Sequence, residues 1–169
     1  KIKGGRASGP KPLENLLNFT REKLLSRQEQ RIRPIDAHDI LCKLGECVVS
    51  GAVRRSALIC LFDYDDIEMR ECKSGKNIID NEQRYMANNS AVWSVEPTQD
   101  QVLEQMYEMF DGKRGEPGIF SRKNANDNLP ESRKKFGYQE FGTNPCGEIL
   151  LRPFQFCNLC EINASNIES

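Results

Sequence analysis

The run "SALICLF", Ser56 to Phe62, narrows the possible folds more than any other feature of the chain. It is short, nearly all apolar, and ends in the acidic turn residues Asp63, Asp65 and Asp66. A run of that kind reads as a strand buried on both faces, the pattern of a parallel sheet rather than of a half-exposed hairpin. Two further segments read as strands: "NNSAVWSV" from Asn88, and "GEPGIFS", which ends at Ser121.

Helical patterns alternate with these strands. Pro12 opens "PLENLLNFTREKLLSRQ", where Leu13, Leu16, Leu17, Leu24 and Leu25 fit one helical face. A second helix begins after Pro34, with Asp36 as N-cap and a stripe of Ala37, Ile40, Leu41, Leu44 and Val48. Thr98 and Gln101 form a capping box ahead of Val102, Leu103, Met106, Met109 and Phe110. Asp63 to Gln83 reads as loop with one short helix, and residues 123 to 141 as polar loop. Strands and helices in this order specify an α/β fold with a mostly parallel sheet. Three or four strands cannot close a barrel, so the expectation is part of a larger α/β domain.

Composition excludes several classes. The 169 residues are enough for one domain with a core, and 24 basic against 25 acidic residues leave a net charge of -1. No general attraction to nucleic acid or to a membrane surface follows from that balance. Apolar residues are 38% of the chain, and no apolar run nears the roughly 18 residues a membrane span needs. Lys1 to Pro10 is basic and glycine-rich, unlike a secretory leader. The expected location is cytoplasmic.

Seven cysteines then need an explanation. In a reducing compartment they serve as buried hydrophobes, metal ligands or chemical actors. Cys42, Cys47 and Cys60 lie in helix and strand patterns and read as buried hydrophobes, while the role of Cys72 stays open. His38, the one histidine, reads as an exposed residue of a first helical turn. Arg54 and Arg55 read as structural. The segment "GTNPCGEILLRPFQFCNLCEIN" holds the remaining three, Cys146, Cys157 and Cys160. The CxxC of Cys157 and Cys160 supplies two of the about four ligands a structural zinc needs, and no second CxxC exists. Asn144, Cys146 and Glu148 are spaced by two, so an extended segment would present amide, thiol and carboxylate on one face. Pro145 and Gly147 between them fit a loop or strand tip inserted into a site; an incidental Pro-Gly turn is the alternative.

"GTNPCGEI" followed by "CNL" resembles the active-site finger loop of ribonucleotide reductases. The resemblance is to the adenosylcobalamin-dependent class II enzymes of the monomeric ribonucleoside-triphosphate reductase type. "GGRASGPKPL", "CVVSGAVRRSALI", "ANNSAVWSV" and "GEPGIFS" resemble the same family in the same order, so the match runs along nearly the whole chain. It implies that residues 1–169 are a fragment of one catalytic domain, a ten-stranded α/β barrel with an inserted finger loop at 142–150. It implies adenosylcobalamin as cofactor, a ribonucleotide as substrate, a deoxynucleotide as effector and a thioredoxin-type reductant.

Residue by residue, the resemblance makes Cys146 the cysteine that becomes a thiyl radical and takes the 3′ hydrogen of the ribose. Glu148 becomes the base at the 3′ hydroxyl, and Asn144 a hydrogen-bond partner of the ribose hydroxyls. Cys157, eleven residues after Cys146, becomes one of the two electron-donating cysteines, its partner lying upstream of this chain. Cys160 departs from many relatives. Residues 1–10 resemble the loop that links effector and substrate sites, which makes Lys3, Gly4, Gly5, Arg6 and Ser8 candidates for nucleotide contacts. Two other readings remain at this point: a reductase that takes its radical from a metal subunit, and a small zinc or thiol-redox module built on "CNLC".

Overall fold

The computed structural model describes residues 8–51 and 55–166. Lys3, Gly4, Gly5, Arg6 and Arg54 lie outside the described residues, while Ser8 and Arg55 are exposed. Two helices come first, α1 (Lys11–Leu25) and α2 (Pro34–Val49). Strand β1 (Leu58–Asp63) follows, then short helices α3 (Ile67–Arg70) and α4 (Gly75–Ile79) and a 3-10 turn, Glu82–Met86. Strand β2 (Ala87–Trp93) leads through α5 (Gln99–Asp111) to β3 (Gly118–Ser121). The chain closes with α6 (Arg122–Asp127), α7 (Glu131–Lys134), two-residue strands β4 (Gly142–Thr143) and β5 (Leu150–Leu151), and a 3-10 turn, Ala164–Asn166.

The first three strands form one parallel sheet in the order β1-β2-β3. Leu58 stands opposite Ala87 and Ser90 opposite Gly118. A parallel sheet joined through helices is the α/β arrangement expected. Among the described residues the sheet has three strands and no barrel. Asp63 to Gln83, expected as loop with one short helix, carries two, α3 and α4; residues 123 to 141, expected as loop, carry most of α6 and all of α7.

The helix starts follow from local chemistry. Thr98 Oγ1 accepts from the Gln101 N–H at 3.3 Å while Gln101 Oε1 accepts from the Thr98 N–H at 2.9 Å, the reciprocal capping box. In α2 the N-cap is Arg33, and Asp36 occupies the third helical position instead of the cap. There its carboxylate accepts from Arg33 Nε and Nη2 at 2.9 and 3.0 Å, and from Arg27 Nε at 2.9 Å.

The buried surfaces depart from expectation in two places. Most of β1 is half-buried, because it lies at the sheet edge; β2, in the middle, buries Ala91, Val92 and Trp93. On α2 the predicted stripe faces outward, with Leu41 55% and Leu44 47% exposed. The face turned to the sheet is Ile35, His38, Asp39, Cys42 and Gly45. A Cβ on Gly45 would come within 3.2 Å of Leu58 Cδ1, so the missing side chain is what lets α2 lie against β1. On α1 only Leu16 of the predicted face is buried.

The compact core is therefore small: Ile35, Phe62, Met69, Cys72 and Ala91, with Cys60 and Tyr64 packed against it. The chain exposes 12495 Å², where a compact globular chain of its 19.3 kDa exposes about 8,500 Å². Exposed apolar side chains include the outward leucines of α1 and α2, Phe110 of α5, and Phe154, Phe156, Leu159 and Ile162 near the C-terminal end.

Candidate active site

The segment Gly142 to Leu151 is an antiparallel hairpin, with Gly142 opposite Leu151 and Thr143 opposite Leu150. Its tip is a tight turn. The Gly147 N–H donates to the Asn144 carbonyl at 3.0 Å, with Pro145 in the second position, where its fixed φ suits the bend. Gly147 has φ +85°, a region that favours glycine, so the residue after Cys146 is chosen by backbone conformation. Cys146 and Glu148 are exposed, while Asn144 is buried. The alternation expected of an extended segment does not apply, because the chain reverses here. Thiol and carboxylate project from the turn, and the amide points into its base.

Asn144 organises the turn from below. Its Oδ1 accepts from the Ile149 N–H at 3.1 Å, and its own N–H donates to the Ile149 carbonyl at 3.3 Å. Its Nδ2 donates to Cys157 Sγ at 3.6 Å. One asparagine thus joins the turn bearing Cys146 to Cys157, and the structure brings these three predicted site residues together. Cys160 is exposed and Ser8 lies at the other end of the chain.

The hairpin is fastened to the sheet. A Cβ on Gly142 would meet Leu61 Cδ1 at 3.2 Å, so β4 approaches β1 closely. Arg122 Nε donates to the Phe141 carbonyl at 2.8 Å, and Asn126 exchanges two hydrogen bonds with the Gln139 backbone at 2.7 and 3.0 Å. At the tip, Asn88 Nδ2 donates to the Pro145 carbonyl at 3.1 Å.

Beneath β2 lies a polar layer that composition and spacing did not reveal. His38, expected to be exposed, is buried, and its Nε2 lies 3.1 Å from Asn89 Oδ1. Asn89 Nδ2 donates to Cys72 Sγ at 3.2 Å, so Oδ1 accepts and the ring proton sits on Nε2. Cys42 Sγ lies 3.6 Å from the ring. Burial keeps His38 below its ordinary pKa. Burial also pushes the Cys42 thiol up to about 12 and those of Cys60 and Cys72 to about 11. These three are therefore neutral thiols at physiological pH; Cys47 and Cys60, expected to be buried, are half-buried, and Cys146, Cys157 and Cys160 are exposed. The signal that could have found this layer is the pair Asn88-Asn89 within an apolar strand, since consecutive strand residues face opposite sides.

Among the described residues no cluster of three or more His, Cys, Asp or Glu could hold a metal ion. No described helix is long and apolar enough to cross a membrane.

An exposed cysteine on a hairpin tip, lodged against a parallel sheet with a second thiol behind it, defines a candidate thiol-based site in an α/β protein. The chain is 34% identical over 170 residues to an adenosylcobalamin-dependent ribonucleoside-triphosphate reductase of Lactobacillus gasseri, and 36% identical over 167 residues to one of Lactobacillus leichmannii. A protein of the same name from Lacticaseibacillus paracasei is 34% identical over 171 residues. Each match takes in 94% of this chain and 21% of the relative, so the chain spans about a fifth of the length of the curated relatives it matches. The chain is thus homologous, along nearly all its length, to one part of the adenosylcobalamin-dependent ribonucleoside-triphosphate reductases. No family model and no solved structure matches it.

Proposed function

We propose that the chain is part of the catalytic barrel of an enzyme that reduces ribonucleoside triphosphates to 2′-deoxyribonucleotides. The observation that carries this reading is the exposed thiol of Cys146 at a turn whose base, Asn144, also holds Cys157. The relatives along the chain, named ribonucleoside-triphosphate reductases, support the reading.

When bound, adenosylcobalamin supplies the radical equivalent that removes the hydrogen atom of a thiol. Cys146 and Gly147 fit that need: the thiol is exposed, and no atom lies within 4 Å of where a Gly147 Cβ would stand. The sulfur radical of Cys146 takes the 3′ hydrogen of the ribose, while Glu148 accepts the proton of the 3′ hydroxyl. Asn144 is buried at the base of the turn, so its proposed contact with a ribose hydroxyl requires the amide to swing outward, using the Nδ2 hydrogen not spent on Cys157. The 2′ hydroxyl leaves as water with a proton from the cysteine pair. Cys157 and its upstream partner supply the two electrons and end as a disulfide, and Cys146 returns its hydrogen to the 3′ carbon. The sum is one ribonucleotide and two thiols giving one deoxyribonucleotide, one water and one disulfide.

Residues 1–10, with Lys3, Gly4, Gly5, Arg6 and Ser8, are the proposed link between a deoxynucleotide effector and the substrate. A thioredoxin-type protein is the proposed reductant of the disulfide. The names of the relatives favour this reading over a radical drawn from a metal subunit. The test is reduction of nucleoside triphosphates by the full-length protein with and without adenosylcobalamin. Strict dependence is expected; undiminished turnover without it overturns the cofactor assignment.

A further inference from the structure

Strand β2 carries two adjacent asparagines with opposite partners. Asn88, on the outer face, donates from Nδ2 to the Pro145 carbonyl at 3.1 Å. That carbonyl belongs to the peptide joining Pro145 to Cys146, so its orientation sets the plane from which the Cys146 side chain leaves. Apart from this bond, the polar contacts described above fasten the base of the hairpin and not its tip.

The backbone under Asn88 is held on both sides. The Ala87 carbonyl accepts from the Lys73 ammonium. The Asn89 N–H donates to Glu116 Oε1 at 3.2 Å, and Glu116 is itself paired with Lys73 at 2.7 Å. Pairing with β3 begins only at Ser90, so the Glu116 carboxylate takes the place of a neighbouring strand at this point. On the inner face, Asn89 is fixed between His38 at 3.1 Å and Cys72 at 3.2 Å. Lys73, Asn89 and His38 are all buried. An exposed amide on so rigid a stretch has little freedom to follow the loop; the loop must follow the amide.

We propose that Asn88 is a positioning residue that fixes the finger-loop turn, and with it the Cys146 thiol, against the start of β2. The inference rests on the reading of Cys146 as the reacting thiol. Asn88 touches no substrate in this account. It acts through the Pro145–Cys146 peptide, and the buried His38–Asn89–Cys72 chain and the Lys73–Glu116 pair act as its base.

Misplacing a reacting group by about 1 Å costs on the order of 100-fold in rate. In the full-length enzyme, Asn88→Ala and the isosteric Asn88→Asp, which has no N–H to donate, should each lower kcat about 10- to 100-fold. KM for the ribonucleotide should stay within about twofold, since the substrate contacts are unchanged. Amide hydrogen exchange supplies a readout independent of turnover. Peptides covering residues 142–150 should exchange faster in both variants, while those covering 87–93 should not. Wild-type kcat, or exchange rising equally in both regions, overturns the positioning role. Cys146→Ser run alongside separates the two claims: full activity in that variant overturns the reading of the site itself, whatever Asn88 does.

Discussion

Arg84 and Asp39 meet as a buried two-pronged pair, Nε to Oδ1 at 2.6 Å and Nη2 to Oδ2 at 3.0 Å. The same carboxylate accepts from Lys23 at 2.7 Å, and Arg84 Nη1 donates to the Cys72 carbonyl at 2.7 Å. The pair therefore joins α1, α2 and the 3-10 turn before β2. Burial opposes the ionised carboxylate, and the bonds and charges of Arg84 and Lys23 together outweigh it, keeping Asp39 below the usual carboxylate range. Removing Arg84 leaves the buried Asp39 carboxylate with Lys23 and Gln83 alone. Arg84→Met should therefore lower stability by about 3 kcal/mol, the low end for a broken buried pair, read from urea unfolding. A loss under about 1 kcal/mol would mean the pair is solvated in solution.

Acid should weaken the helix pair in two steps. Hydrogen bonding from Arg33, opposed by burial and helped by Arg27, holds Asp36 down to about 2 from an ordinary 3.8. A carboxylate depressed on folding stabilises above its unfolded pKa, and the gain is lost as pH falls through the folded value, here between about 4 and 2. The shift corresponds to about 2 kcal/mol at neutral pH. His38, kept low by burial, is neutral when folded; its contribution is present above its ordinary 6.5 and declines below it. Melting temperatures from about pH 7 to 2 should therefore fall in both ranges. Asp36→Asn should flatten the lower range and His38→Gln the upper one; an unchanged pH profile in either variant contradicts that assignment.

Thiol modification should divide the cysteines. Cys146, Cys157 and Cys160 are exposed, whereas Cys42, Cys60 and Cys72 are held as neutral thiols by burial, at about 12, 11 and 11. Brief alkylation of the native protein near pH 8, read by peptide mass, should label the first three and leave the second three. Early labelling of Cys42 or Cys72 would contradict the buried layer.

The order of elements was legible in the sequence because apolar runs and capping residues act locally. The Thr98–Gln101 box and the three strands formed as those signals imply. The inward face of α2 was not legible. Its outward leucines have the ordinary pattern of a buried stripe, while its buried face uses His38, Asp39 and Gly45, whose partners Asn89, Arg84 and Leu58 come from elsewhere in the chain. The site divided in the same way. Cys146 stood out through its neighbours, but burial of Asn144 depends on a turn that strand-like spacing cannot express.

The turn itself can be probed at Gly147. Its φ of +85° disfavours a side chain, though no atom would contact one. Gly147→Ala should therefore cost about 1–2 kcal/mol through backbone conformation alone. Asn144→Ala leaves the half-buried Ile149 N–H without its side-chain acceptor and should cost about 1 kcal/mol. Both losses should be local, seen as faster hydrogen exchange in residues 142–150 with the sheet unaffected. Protection unchanged in both variants would show that the turn does not depend on them.

The central claim is that Cys146 is the reacting thiol, and one measurement tests it most directly: deoxyribonucleotide formation by the full-length protein carrying Cys146→Ser, with Cys160→Ser prepared identically as the comparison. The account predicts no product above background from Cys146→Ser and sustained turnover from Cys160→Ser. Product formation by Cys146→Ser at the rate of the unmodified enzyme would contradict it.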